Sequence, residues 1–232
     1  MATTVPKLRP SLKKRAPGTD FESDHWAAGS AVVAGIDEVG RGAWAGPLTV
    51  GAVVIPSDRR IYKIRDSKQL TESEREAMFE RIIDWVDAWA VGHASPAECT
   101  EMGMSAAQKL AARRALDSLG MAVDHVLIDG TWDFIEREPV TTIVKGDQKS
   151  LSIAAASILA KVTRDRMMRA MAEELPWYAF DSNKGYPCPR HQAALEYLGP
   201  STQHRRSWAF MQGLVWTGIE ECRPLPESMR LF

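Results

Sequence analysis

The sequence predicts an α/β fold: a mixed sheet flanked by helices, with a helical C-terminal part. Three observations lead there. Two short apolar, β-branched runs stand close together within residues 31–55. Further apolar runs then alternate with amphipathic segments of helical period, and beyond residue 150 the pattern is helical alone.

Taken in order, residues 31–37 read as a buried strand that ends in charge at Asp37, and residues 48–55 as a second strand closed by Pro56. The stretch from Glu38 to Pro47 is short enough for a hairpin-like return. Thr71 and Glu74 form a capping-box pattern that opens an amphipathic helix through Met78, Ile82, Ile83 and Val86. Residues 89–94 suit a strand. Ser105 and Gln108 offer a second capping box, whose helix stops at Gly120. Residues 126–129 and 141–145 are further strands, followed by Gly130 and by Gly146-Asp147. An Ala-rich helix is expected over 152–174, then a turn-rich stretch at 181–190, then a short helix over 191–198. Ala154, Ala155, Ala156 and Ala160 suit a helix lying close to a sheet.

At 232 residues the chain suffices for one well-buried domain with small appendages. Residues 1–28, with Lys13, Lys14 and Arg15 among prolines, read as a mobile basic arm; 29–213 is the body and 214–232 a tail. No run of about eighteen apolar residues is present, so no membrane-spanning helix is expected. The basic N-terminus lacks the apolar core of a secretory signal. Cys99, Cys188 and Cys222 are scattered and odd in number, which argues for a reducing cytoplasm and against a disulfide framework or thiolate zinc site. The net charge of −1 does not point to nucleic acid, although a neutral total can hide a basic groove around an acidic site.

The chemistry lies in the acids. Asp37 with Glu38, Asp129 and Asp147 each follow or end a strand-like segment, and each has a glycine close by. Strand ends of an α/β sheet are where residues distant in sequence converge. Singly, each acid is most simply a turn or cap residue. Together they would repel one another at neutral pH unless a hard cation such as Mg²⁺ relieved the repulsion. Two such ions roughly 4 Å apart serve phosphodiester hydrolysis. The pattern therefore points to metal-dependent phosphoryl transfer.

Gly35-Ile-Asp-Glu-Val-Gly-Arg-Gly42 followed by Ala45-Gly-Pro47 resembles the N-terminal signature of ribonuclease HII, the type 2 ribonuclease H family. Asp66-Ser-Lys68, the strand ending at Asp129-Gly130, Lys145-Gly-Asp147 with the helix through Asp165, Asn183-Lys-Gly-Tyr186 and His204-Arg-Arg-Ser-Trp208 are similar to its later motifs, in the same order. The likeness runs from about residue 20 to 210. It departs from the family pattern at Thr131, at Gly103-Met104 and at Pro187-Cys188-Pro189, none of which touches the four acids.

The resemblance implies a ribonuclease H-like fold and hydrolysis of RNA joined to DNA, with two Mg²⁺ or Mn²⁺ ions held by Asp37, Glu38, Asp129 and Asp147. Asp165 is a rival for the fourth place, but inside a helix it is expected to pair with Arg164 or Arg169. Gly40, Arg41 and Gly42 would read the 2′-hydroxyl, which is both donor and acceptor. Tyr186 would stack beside the ribonucleotide. Lys68, Lys149 and Lys184 are expected to contact phosphates. Met229, Leu231 and Phe232 are similar to peptides that dock on sliding clamps, without the customary Gln. The expectation is a cytoplasmic monomer that cuts on the 5′ side of a ribonucleotide. A nuclease needing a run of ribonucleotides, and a non-catalytic nucleic-acid-binding protein, are the rival readings.

Overall fold

The apolar, β-branched runs pair into one five-stranded sheet. In chain order the strands are β1 (Val33–Val39), β2 (Leu48–Val54), β3 (Ala88–Ala94), β4 (His125–Asp129) and β5 (Val140–Ile143), and their order across the sheet is β3-β2-β1-β4-β5. β1 is central. It runs antiparallel to β2, which pairs antiparallel with β3, and parallel to β4, which pairs parallel with β5. The expected mixed sheet is thus present. The computed structural model describes residues 16–216.

Helices cover both faces. On one side α3 (Pro96–Asp117) packs its Ala107, Ala111 and Ala115 against Ala34, Ile36, Val50 and Ile128. On the other, α4 (Leu151–Glu174) and α2 (Glu72–Ile83) bury Met78, Ile82, Ala155 and Ile158 with Val53. α4 lies almost on the sheet backbone. A Cβ at Gly35 would run into the Ser152 backbone and the Ile153 nitrogen, and one at Gly51 would stand 2.6 Å from the Ala156 carbonyl oxygen. Ala154, Ala155, Ala156 and Ala160 are fully buried, as small residues in such a contact must be. α5 (Phe180–Asn183) and α6 (Pro189–Leu198) gather with Met168, Leu175 and Met211 into the helical C-terminal part.

Several boundaries differ from the sequence expectation, each for a physical reason. β1 continues beyond Asp37 because Val39 still pairs with Thr49 of β2, so Asp37 and Glu38 sit within the strand. β5 stops at Ile143; Lys145 takes a left-handed conformation, φ 57°, and Asp147 rides on the 3-10 turn Gly146–Gln148. The capping box of α3 forms at Ser95 and Glu98, ten residues before Ser105, and Gly103 (φ 79°) breaks the helix where the sequence placed its start. Gln108 is thereby free of capping and accepts a hydrogen bond from Arg41.

The body also begins earlier than residue 29. Helix α1 (Asp20–Ala27) buries Glu22, whose carboxylate accepts hydrogen bonds from the Ser150 hydroxyl and from the Ser152 amide at 2.6 and 2.9 Å. An anion at the N-terminus of α4 is favoured by the helix's unpaired amides and dipole. Phe21 and Trp26 of α1 are partly buried against Val33, Leu127, Ile143 and Ile153, but two apolar residues five apart make no helical stripe to read. Lys13, Lys14 and Arg15, and the segment with Cys222, Met229, Leu231 and Phe232, lie outside the described residues. Among the described residues, no helix is long and apolar enough to cross a membrane.

The contact between α4 and β1 gives a direct test. Gly35→Ala must push the helix away from the sheet and should destabilise the protein by about 1–3 kcal/mol, read as a lower midpoint in urea. An unchanged midpoint would contradict the close approach.

Candidate active site

Consecutive strand residues face opposite sides of a sheet, so Asp37 and Glu38 diverge from one point of β1. Asp37 turns toward α4, where it is buried and meets Ser157; Glu38 is half-buried. Ile36 pairs with Ile128 in the parallel β1–β4 ladder, which brings Asp129 alongside Asp37 one residue later. Asp129 in turn accepts a 2.7 Å hydrogen bond from the Gly146 amide, which fixes the turn that carries Asp147. Asp147 is buried, and its Oδ2 lies 3.2 Å from Lys68 Nζ. The sheet therefore draws the four expected acids to one edge.

Their mutual repulsion is visible in their proton affinities. Asp37 is raised well above the ordinary carboxylate range, by burial first and then by the charges of Glu38 and Asp129. Glu38 is raised by burial and by Asp129. Asp147 is raised by burial, by Asp66 and by Asp129, against a lowering pull from Lys68. Burial of the Lys68 ammonium works downward, but Asp37 and Asp147 outweigh it and push that group up to about 12.

Asp37, Glu38 and Asp129 open into a cavity of about 250 Å³, which also reaches Gly40, Arg41, Gly42, Lys68, Ser157 and Tyr186. The expected ribose reader and three of the four expected acids thus share one space, with Asp147 joined to it through Lys68. Gly40 needs its freedom: φ is +88°, and a Cβ there would collide with the Arg164 guanidinium. Gly42 is different, because among the described residues a Cβ on it would meet nothing within 4 Å. The Gly40 amide donates to the Tyr186 hydroxyl at 3.1 Å, and the Gly185 carbonyl accepts from Trp44, so the two reading elements are joined.

Two buried arginines hold this loop. Arg164 donates to the carbonyls of Ala45, Pro47 and Lys184, and its guanidinium stands 5.5 Å from the centre of the Tyr186 ring. Arg205 donates to the carbonyls of Gly40, Arg41 and Gly46. Burial pulls Arg205 down to about 10. The sequence reading did not assign either one a role in the loop. It gave no place in the site to Asp66, known only as part of a motif and here buried beside Asp147, or to Gln108, read as a capping residue, which pins Arg41 at 2.6 Å while Trp132 lies beneath the Arg41 guanidinium.

Other expectations are corrected. Asp165 pairs with Lys161 at 2.6 Å and Arg75 at 3.7 Å, not with Arg164 or Arg169, because Arg164 faces the loop and Arg169 is taken by Glu72 and Glu76. Lys184 is buried: its backbone is left-handed, and its ammonium turns to the Asp181 carbonyl and to Glu72 at 3.8 Å, away from solvent. Lys68 and Lys149 are exposed, as phosphate contacts must be.

Among the described residues no three of His, Cys, Asp and Glu form a ready-made metal cage. Three of the acids instead have donors of their own: the Glu38 amide on Asp37, the Gly146 amide on Asp129 and Lys68 on Asp147. The donor set nevertheless fits a hard divalent ion. It is all carboxylate oxygen, it is electrostatically strained by burial, and Mg²⁺ needs one or two carboxylates with the rest of its shell from water and substrate.

Residues 34–211 match the family model described as Ribonuclease HII. The ribonuclease HII of Streptomyces avermitilis is 45% identical over 197 residues, 84% of this chain and 84% of that one. The chain belongs to the ribonuclease HII family. The ribonuclease HII of Caulobacter vibrioides is 44% identical over 83% of this chain and 91% of its own. Among solved structures, ribonuclease H2 from Pyrococcus horikoshii superposes with a TM-score of 0.67 at 31% identity, covering 78% of this chain and 95% of that one. The ribonuclease HII of Archaeoglobus fulgidus, solved in complex with PCNA, gives 0.62 at 28% identity, over 76% and 95%. The fold is therefore ribonuclease H-like, and the chain is a ribonuclease H-type endonuclease, a hydrolase for ribonucleotides joined to DNA.

The raised Asp37 carboxylate makes a stability prediction for the metal-free enzyme. Because its folded proton affinity is raised, the stability it contributes is present below its unfolded pKa and is lost as pH rises through the folded value. Asp37→Asn should therefore raise the melting temperature at neutral pH, with the gain shrinking as pH falls into the range where Asp37 is protonated. A variant less stable than the parent at neutral pH would contradict this.

Proposed function

We propose that Asp37, Glu38, Asp129 and Asp147 hold the divalent ions of an endonuclease that cuts on the 5′ side of a ribonucleotide in duplex DNA or in an RNA–DNA hybrid, leaving a 3′-hydroxyl and a 5′-phosphate. The observation that carries this reading is the shared cavity: acids at one wall, Gly40–Gly42 and Tyr186 at the other. Mg²⁺ or Mn²⁺, with two ions the favoured count, would supply when bound the acidity that turns water into a nucleophile and the positive charge that offsets the phosphate.

The chain's own residues do the rest. The open space over Gly42 admits a sugar edge against bare backbone, and amide groups there meet a 2′-hydroxyl that deoxyribose lacks. Arg205 and Arg164 fix the loop before substrate arrives, so little ordering is left for binding to supply. Arg41, held by Gln108 and Trp132, keeps a positive charge at the rim of the cavity. Tyr186 provides an aromatic surface for the neighbouring nucleotide, tolerant of base identity. Lys68 and Lys149 carry charge toward the phosphate backbone. No histidine or lysine need act as general base.

Such an activity suits removal of RNA primers and of single ribonucleotides during replication and repair in the cytoplasm. The Archaeoglobus fulgidus complex with PCNA supports extending the proposal to a sliding clamp, docked through Met229, Leu231 and Phe232. Deleting residues 227–232 should abolish clamp binding measured by surface plasmon resonance; unchanged affinity would remove that part of the proposal.

The decisive assay uses duplex DNA carrying one ribonucleotide, beside a full hybrid, with and without Mg²⁺ or Mn²⁺. Metal-dependent incision 5′ to the single ribonucleotide is expected, and Asp37→Asn or Asp129→Asn should reduce it to background in folded protein. Full activity of either variant would refute the acid assignment. Tyr186→Ala should slow the single-ribonucleotide substrate by roughly 5–150-fold, the worth of about 1–3 kcal/mol of stacking. Cleavage of the hybrid alone would keep the acids and overturn the account of ribose reading.

A further inference from the structure

Lys68 is poised differently from an ordinary surface lysine. Its side chain is 74% exposed, yet it reaches back to a carboxylate that is 4% exposed, Asp147, at 3.2 Å. Exposed ion pairs contribute little, but a buried anion left without a partner is strongly disfavoured. The reach is prepared by the backbone. Lys68 sits on the 3-10 turn Ser67–Gln69, capped by Asp66 through a 2.8 Å bond from the Lys68 amide. The same turn is tied to α4 by Ser67 Oγ and Ser157 Oγ, 2.8 Å apart. The turn is fixed at its base while the ammonium stands at the mouth of the acid cluster.

Charge balance gives this position a meaning. The four acids carry four negative charges when ionised, which two divalent ions would neutralise in full. Lys68 is then surplus. Without metal its ammonium is the cation paired with Asp147, and Asp37, Asp147 and Asp66 all act on it. An ammonium and a divalent ion competing for Asp147 Oδ2 would be like charges a few ångströms apart, a repulsion weakly screened beside buried groups.

We propose that Lys68 is the built-in counter-ion of the acid cluster: it occupies the cation position at Asp147 until a divalent ion displaces it, and the displaced ammonium then faces the phosphate backbone. This rests on the four-acid reading above. It makes metal loading and substrate binding mutually reinforcing, since a phosphate offers Lys68 a new partner and so eases its release from Asp147; linkage makes that help reciprocal.

The test is calorimetric titration of Mn²⁺ into the full-length protein without nucleic acid. Lys68→Met should bind the first ion about tenfold more tightly, equivalent to roughly 1.4 kcal/mol, because the competitor is gone. Lys145→Met removes the same charge from an exposed position two residues from Asp147 and should change affinity by less than about twofold, which separates direct competition from a general field. In EDTA, Lys68→Met should melt below the parent, and saturating Mn²⁺ should close the gap. Equal or weaker Mn²⁺ binding by Lys68→Met overturns the proposal, as does an equal gain in Lys145→Met. If Asp147→Asn binds Mn²⁺ as the parent does, the four-acid reading itself fails; if Asp147→Asn weakens binding while Lys68→Met leaves it unchanged, only the counter-ion role fails.

Discussion

The contact of α4 with β1 and β2 at Gly35 and Gly51 is the constraint on which the rest of the site depends. With no Cβ on either strand residue, the helix settles onto the sheet backbone, and everything along its length is placed by that one approach. Its first turn receives the Glu22 carboxylate. Ser157 reaches Asp37 on one side and Ser67 of the Lys68 turn on the other. Two helical turns later, on the same face, Arg164 arrives beneath the reading loop. Widening that contact by the thickness of a methyl group would move the acids, the lysine turn and the loop relative to one another, which is why small residues stand at the points of closest approach, Gly35, Gly51, Ala156 and Ala160.

The site is built from opposite charges kept apart. Asp37, Glu38 and Asp129 stand on strands and Asp147 on the turn after β5, while Arg164 and Arg205 lie under the loop. Among the described residues, these two arginines bond backbone carbonyls and make no ion pair with a carboxylate. A buried guanidinium solvated by carbonyl dipoles is costly to remove and leaves its charge available to the field around it. The loop is therefore both rigid and positive on its inner side, next to a cavity whose other wall is negative. In the proposed function this is the place where a phosphodiester would find cationic support beside the loop and divalent ions at the acids. A net charge of −1 hides this arrangement because it sums over it.

The acids were legible as residues at or near the ends of strand-like runs, and parallel pairing of β1 with β4 sets Asp37 beside Asp129 while the Gly146 amide ties the turn of Asp147 to Asp129. The family signature fell on the same positions. What stayed hidden shares a single character, namely polar groups buried by tertiary contact. Arg164 and Asp165 look like a helix ion pair, and only the packing of α4 shows that each looks elsewhere. Lys184 looks solvated but is buried. Asp66 was seen as part of a motif, and its position beside Asp147 depends on a turn that no local periodicity records. Helix α1 escaped for the same reason, because beside the partly buried Phe21 and Trp26 its fully buried anchor is the charged Glu22. Gly103, which breaks α3, looks in one dimension like a place for the helix to begin.

The Tyr186 side of the cavity is held by the same means, and its protons can be traced. The Ser201 amide donates to His204 Nδ1 at 2.9 Å, so that nitrogen is an acceptor and the His204 proton lies on Nε2. That proton can only be donated to His191 Nε2, 3.0 Å away, which leaves His191 with its proton on Nδ1. His191 then donates to the Tyr186 carbonyl at 3.0 Å. Both rings must be neutral for this chain to exist, and burial lowers the proton affinity of both, His204 to about 3. The chain of bonds therefore persists throughout the neutral range. A tyrosine fixed through its carbonyl by a buried imidazole pair and through its hydroxyl by Gly40 has little freedom to adapt, which in the proposed role would leave little ordering for binding to supply. Rigidity on this side of the cavity and in the loop thus comes from buried polar groups whose partners are backbone.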